Sequence, residues 1–305
     1  MLCISLICAC AKKPEQRWQV ALNGAYSAAI GTSGGVLVVG SFQQGGSYWD
    51  INAFERLYNW NHREGYLTEI LYTDISEDGR FALTANYYNL VLWNTETGKA
   101  VWFWSAPARI EAADLSFDGR LALLGLDNDK AVLFDIQNGG VLRVFEHQGP
   151  VTTVALNIKT GRALTGSEDT LVRLWDIRSA SLIRSFDYVN HIALVKFSDN
   201  GALALMVPAN EEAELWNLAT RNKIANLSIA RYRLYSARFI GDTRLLAGTT
   251  HRNIFEFDTR TGKKIETWKI GTEGKQAFKS AIVLDVGWRN NQPLAIGSNG
   301  YLYAF

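Results

Sequence analysis

An aromatic residue followed by an acid or its amide returns at a near-constant interval along this chain, and no other feature constrains its folding as much. The pairs are Trp49-Asp50, Trp93-Asn94, Phe134-Asp135, Trp175-Asp176, Trp216-Asn217 and Phe257-Asp258. The first step between aromatics is 44 residues and the next four are 41 each; a degenerate copy ends at Tyr303, 46 residues beyond Phe257. A period of this size means one supersecondary unit repeated, each copy burying its apolar face on its neighbours. Other positions keep the same phase. Eleven residues after each aromatic stand Trp60, Trp104, Phe145, Phe186, Leu227 and Trp268, all large and apolar, as one inward slot on an outer strand requires. Upstream, Asp78-Gly79, Asp118-Gly119, Thr160-Gly161 and Asn200-Gly201 mark a recurrent hairpin turn, where positive φ favours Gly and Asn. Leu92, Leu133, Leu174 and Leu215 precede the aromatic in four copies. Each unit therefore reads as four strands, a to d from the inside outward.

A Trp-Asp dipeptide at a period of about 40–45 residues resembles the WD40 repeat. The resemblance runs from Arg17 almost to the end of the chain and implies an all-β, seven-bladed β-propeller. The seventh copy stops at Phe305, after its third strand. The segment Arg17-Trp18-Gln19-Val20-Ala21-Leu22, ahead of the first copy, reads as the fourth strand it lacks. This N-terminal strand is expected to complete the last blade and close the ring, removing two open sheet edges. In that arrangement Trp18 takes the slot that Trp60 and Trp104 hold elsewhere.

Composition agrees with a strand-rich body: 10 Trp, 12 Tyr, 14 Phe and 26 Gly against 5 Pro. A net charge of +1 offers no basic field to hold a phosphate backbone, so nucleic acid is not expected as a partner. All three cysteines, Cys3, Cys8 and Cys10, lie in the first ten residues. No disulfide or thiolate metal site can form in the remainder, which suits an oxidising compartment.

The run Leu2 to Ala9 is too short to cross a bilayer, which takes about 20 helical residues, but fits the apolar region of a secretory signal. Ile7, Ala9 and Cys10 resemble the lipobox of bacterial lipoproteins, in which the cysteine becomes the lipidated first residue. Cys8 departs from that pattern, and no Lys or Arg precedes the run, so a start further upstream is expected. The organisation implied is a signal peptide over 1–9, a lipidated cysteine and tether over 10–16, and the propeller over 17–305. The acyl chains would hold the protein at a membrane at about 0.8 kcal/mol per buried CH₂. Ala11, not Asp, after the cysteine points in this resemblance to the outer membrane, facing the periplasm. The alternative is a cytoplasmic protein with an apolar N-terminal tail.

Several constellations look like chemistry. His147, Thr165, Asp169 and Trp175 suggest a hydrolase, but the WD40 resemblance assigns such a set to a buried hydrogen-bonded tetrad that fixes the spacing between blades. His62, His147, His191 and His251 belong to different blades, so no metal site is expected. Thr97-Gly98-Lys99 and Thr261-Gly262-Lys263-Lys264 lack the earlier Gly and following Ser/Thr of a phosphate loop and read as turns. Asp127, Asp129, Glu168, Glu211 and Glu212 sit in separate loops. No cofactor is implied. Tyr87, Tyr88, Arg109, Tyr188, Arg231, Tyr232, Arg233, His251 and Arg252 fall in loops on one face and are the residue types that dominate protein-binding hot spots.

These readings converge on a non-catalytic interaction scaffold, monomeric within a larger complex. It would be lipid-anchored in the cell envelope and would present its loop face to partner proteins. The alternatives are a propeller enzyme or small-ligand or glycan binder working at the channel mouth, and a cytoplasmic scaffold.

Overall fold

A computed structural model describes residues 11–229, 232–272 and 281–305. It shows seven four-stranded antiparallel sheets around a channel, a seven-bladed β-propeller. From the innermost strand outward, blade one is Ala25–Ile30, Val36–Ser41, Gly45–Asp50 and Glu55–Trp60. Blade two is Tyr72–Ile75, Phe81–Ala85, Asn89–Asn94 and Ala100–Ser105, and blade three Ile110–Leu115, Leu121–Leu126, Lys130–Asp135 and Gly140–Glu146. Blade four is Val151–Asn157, Arg162–Ser167, Leu171–Asp176 and Leu182–Asp187, and blade five Ile192–Phe197, Leu203–Pro208, Ala213–Asn217 and Asn222–Leu227. Blade six is Leu234–Ile240, Arg244–Thr249, Asn253–Asp258 and Lys264–Lys269. Blade seven takes Val283–Arg289, Gln292–Gly297 and Tyr301–Ala304 from one end of the chain and Gln16–Gln19 from the other. No helix among the described residues is long and apolar enough to cross a membrane.

The period follows from two local devices. The aromatic of each pair packs against the slot residue of the preceding blade: Trp60 on Trp93 (5.1 Å between ring centroids), Trp104 on Phe134 (4.7 Å), Phe145 on Trp175 (5.2 Å) and Phe186 on Trp216 (5.0 Å). The acid or amide of the pair caps the turn into the outer strand. Asp50, Asn94, Asp135, Asp176, Asn217 and Asp258 each accept, through Oδ1, a backbone N–H three residues on. This needs only a short side chain with an acceptor oxygen, so Asp and Asn interchange. At the same place the outer strand carries a β-bulge in each of the first six blades.

The hairpins between inner and second strands repeat as well. The Ser76 hydroxyl donates to Asp78 Oδ1, Ser116 to Asp118 and Ser198 to Asn200, while Gly79, Gly119, Gly161 and Gly201 take φ between 67° and 73°. Gly125 meets a tighter demand, since a Cβ there would stand 2.3 Å from Val151 O where blade four crosses blade three.

Ring closure has the topology expected, with a different register. Gln16–Gln19 pairs with Tyr301–Ala304, Trp18 lying opposite Leu302. The inward slot falls to Val20, whose N–H donates to Gly300 O, three residues before Tyr303. Trp18 therefore does not fill the slot held by Trp60 and Trp104. It lies two places earlier, half-buried and stacked at 3.8 Å on Phe54 from the outer turn of blade one. No turn or bulge joins this strand to Tyr301–Ala304, so side-chain contacts set its register.

Deleting residues 11–22 removes the outer strand of blade seven and its packing on blade one, and is expected to lower the thermal midpoint by about 10 °C or more. An unchanged melting curve in differential scanning calorimetry would show that closure contributes nothing.

Candidate functional site: the channel and the loops around its mouth

Loops joining each outer strand to the next inner strand, and each second strand to the third, lie on one face, here the top. Inner strands start at that face and run down the channel. Six of them carry a bulge near the top, and the extra residues are Tyr26, Glu111, Thr152, Ala193, Tyr235 and Leu284. A bulge re-aims its side chain out of the ladder. Glu111, Thr152, Ala193 and Tyr235, with Tyr72, His191, Glu211, Tyr232 and Arg233, line a cavity of about 1000 Å³ that opens at the top between blades two and six. Burial, then the neighbouring Glu111 carboxylate, holds the Tyr72 hydroxyl protonated far above its ordinary value.

Below the mouth runs a belt. One ring position, opposite Val38, Leu83, Leu123, Leu164, Leu205, Leu246 and Ile296 of the second strands, is occupied by Ala29, Asp74, Asp114, Ala155, Lys196, Arg238 and Asp285. All seven line a second cavity of about 460 Å³ in the lower channel. The aspartates reach the next blade. Asp74 Oδ2 accepts the Leu115 N–H (2.7 Å), Asp114 Oδ2 that of Leu156 (2.7 Å), and Asp285 Oδ2 that of Ile30 (2.8 Å). Lys196 donates to Asp114 at 3.4 Å, and Arg238 to Asp285 at 3.0 Å and to Ile30 O at 2.6 Å. Burial, and next the Asp114 charge, pushes Asp74 above the usual carboxylate range. Burial works against the Lys196 ammonium, but Asp114, Asp74 and Asp285 outweigh it and hold the proton more firmly than usual.

In blade four the tetrad residues meet. The Trp175 indole N–H donates to Thr165 Oγ1 (2.8 Å), that hydroxyl is 2.6 Å from His147 Nε2, and His147 Nδ1 is 3.3 Å from Asp169 Oδ2. Arg173, which sequence reasoning did not single out, also touches His147 and donates to Asp169 at 2.6 Å. Burial opposes ionisation of Asp169, but the Gln148 N–H, Arg173 and His147 together hold it below its ordinary value. Burial, then Arg173, lowers His147 to about 4, so it is neutral near pH 7. A partial copy occupies blade two, where Trp93 donates to Thr84 Oγ1 (2.8 Å) and His62 Nε2 lies 3.0 Å from it. Among the described residues no acid completes it, and His62 Nδ1 is buried with no hydrogen-bond partner. The blade-four side chains are satisfied by one another inside the protein and line neither cavity.

The loop residues expected on the partner face divide. Tyr87, Tyr88, Arg109, Arg233 and His251 are exposed, and the Arg109 guanidinium lies 4.4 Å from the Tyr87 ring centroid. Tyr232 is half-buried against Phe255 (5.6 Å), beside His251; Arg252 is half-buried in a turn at φ 69°. Tyr188 is half-buried, packs on the core of blades four and five and donates to Glu214 Oε2 at 2.8 Å. Arg231 and Cys10 lie outside the described residues. Tyr66 and Leu67, which the sequence did not single out, are 60% and 63% exposed in the loop leading into blade two.

Of the loop carboxylates, Glu211 and Glu212 line the mouth. Glu211 is committed to the N–H groups of Val189 and Asn190, and Asp127 accepts the Arg109 N–H. Among the described residues no three His, Cys, Asp or Glu side chains converge as metal ligands would. Gly98 and Gly262 sit in the turns between third and outer strands at φ 69° and 67°. The sequence matches no protein-family model and no curated protein.

Because His147 is lowered from 6.5 to about 4 on folding, the native state takes up its proton later than the unfolded chain does. The tetrad's contribution is full above pH 6.5 and is lost as pH falls towards 4, at a cost on the order of 3 kcal/mol. His147→Gln is expected to lower stability near neutrality and to flatten the fall across that window, measured by urea unfolding at pH 7.5 and 5. Asp285→Ala strands the Ile30 N–H and the Arg238 charge; the urea midpoint is expected to drop by the equivalent of roughly 2–4 kcal/mol.

Proposed function

We propose that the protein is a non-catalytic platform of the WD40 type, held at a membrane by lipid on Cys10 in the cell envelope, whose top face binds a partner protein. One observation carries the reading. Above blade two, Tyr87 and Tyr88 stand 41% and 53% exposed, beside the loop bearing Tyr66 and Leu67, and are flanked by arginines, Arg109 on Tyr87 and Arg63 on Tyr66 (each 4.4 Å). Large apolar groups left in water beside arginine are the ordinary make-up of an interface core. The patch is held rigid: Tyr87 O accepts the Ile110 N–H, Tyr88 O that of Ala106, and Asn86 Oδ1 accepts the N–H groups of Tyr88 and Asn89. Little ordering entropy is then lost on binding.

A second reading, a small-ligand or glycan binder at the channel mouth, draws support from the 1000 Å³ cavity lined by Tyr72, Tyr232 and Tyr235. Crosslinking in cells, then mass spectrometry, separates the two. The platform reading expects a defined partner crosslinked to blade-two loops. Tyr87→Ala/Tyr88→Ala is expected to cut its recovery by roughly tenfold or more while leaving the melting temperature unchanged. Undiminished recovery from that variant, or lipidated protein with no partner, moves the function to the channel. An unmodified Cys10 in soluble protein replaces the envelope reading with a cytoplasmic one.

A further inference from the structure

The segment ahead of the closing strand is fastened to a second blade. The Lys12 N–H donates to Thr267 O and the Lys269 N–H to Lys12 O, both at 2.9 Å, so Lys12 pairs in parallel with Trp268 on the outer strand of blade six. Its ammonium pairs with Glu266 and lies 5.9 Å from the Trp268 ring centroid. Three residues on, the Glu15 N–H donates to Ala304 O of blade seven at 2.9 Å. Residues 12–19 thus strap the rims of two adjacent blades. Cys10 stands two residues before Lys12 in the sequence, a length of chain that spans at most about 7 Å.

That edge differs from the rim of blades one to three. Lys12, Lys13, Lys263 and Lys264 are exposed there and Lys269 half-exposed, with Ile265 exposed among them. The acids of the strap and the outer strand are Glu15 and Glu266, and Glu266 is already paired with Lys12. The outer strands of blades one to three expose Leu57, Val101, Phe103, Val141 and Val144 instead. The chain carries a net charge of +1, so the cluster is a segregation of charge and not a reflection of composition.

We propose that the basic rim of blades six and seven is the membrane-facing surface, seated on anionic lipid head groups, so that the disc meets the bilayer edge-on with both loop faces open. This rests on the reading of Cys10 as lipidated. Lysines close to a negatively charged leaflet are attracted over about a Debye length. The strap leaves the anchor too little chain to carry that rim out of this range. The patch above blade two, three blades round the ring, then faces away from the lipid.

The chain beyond Cys10 contains no cysteine, so Ile265→Cys and Val101→Cys each place one thiol for a fluorophore, on the basic rim and on the far rim. The mature full-length protein is reconstituted in phosphatidylcholine vesicles containing phosphatidylglycerol and a head-group quencher. The label at 265 is expected to be quenched at least about threefold more than the label at 101, and the difference to collapse in high salt or on adding Lys13→Glu/Lys264→Glu. Equal quenching at the two sites, in protein whose intact mass carries acyl chains on Cys10, overturns the edge-on seating and leaves the anchor standing. An intact mass without acyl chains overturns the anchor reading, and this proposal with it.

Discussion

The contact on which the ring depends is the one between a blade's third-strand aromatic and the large side chain on the outer strand of the blade before it. Rings of this size bury about 150–250 Å² each, and the pairing explains why two positions eleven residues apart recur with one period: each is the other's partner across an interface. Spacing between blades follows from it, and with that the number of blades and the bore of the channel. Where blade seven meets blade one, Val20 and Trp49 take the two places in a common cluster with Ile30 and Leu37. The contact is smaller there, and Trp18 stacked on Phe54 adds to it from outside.

Nearer the axis the blades are tied by polar groups. Where the belt position is aspartate, its carboxylate takes the next blade's N–H. Where it is alanine or arginine, a hydroxyl close by does comparable work. Ser27 donates to Ile70 O (2.9 Å) and Ser236 to Val283 O (2.8 Å), while Thr153 Oγ1 accepts the Val195 N–H (3.1 Å). The belt thus alternates between costly charges and cheaper hydroxyls for one task. Buried charge is tolerable only when compensated, and Lys196 and Arg238 are placed among the aspartates that need them.

Much of this was legible in the sequence, because repetition turns single residues into positions. The pairs, the slot eleven residues on and the Gly-bearing hairpins stand out by phase, and the tetrad of blade four by its resemblance to a known motif. What escaped lies at positions whose residue type changes from blade to blade. Asp74, Asp114 and Asp285 are isolated acids in strands of different sequence, and only the common register opposite the second strands makes them a ring. Arg173 lies inside a strand that the pair motif already explained. Tyr188 stands in a loop, where exposure is the default expectation, but Glu214 and the core of blades four and five draw its ring inward. Residue type alone points Trp18 to the slot, but no turn sets the register of its strand, and its ring stacks on Phe54 instead.

Blade seven is shared between chain segments that meet through Gln16 and Ala304, 288 residues apart. Closing a loop of that length is entropically slow. Six blades can assemble from local hairpins as the chain is made, but the seventh waits for nearly the whole of it. In that interval Gln16–Gln19 and Tyr301–Ala304 are both unpaired edges, open to a neighbouring molecule. Two such chains could trade their N-terminal strands and each complete the other's ring. The polar sequence of Gln16, Arg17 and Gln19 favours the solvated state of that strand during the wait, and so protects the order of assembly as much as the finished fold.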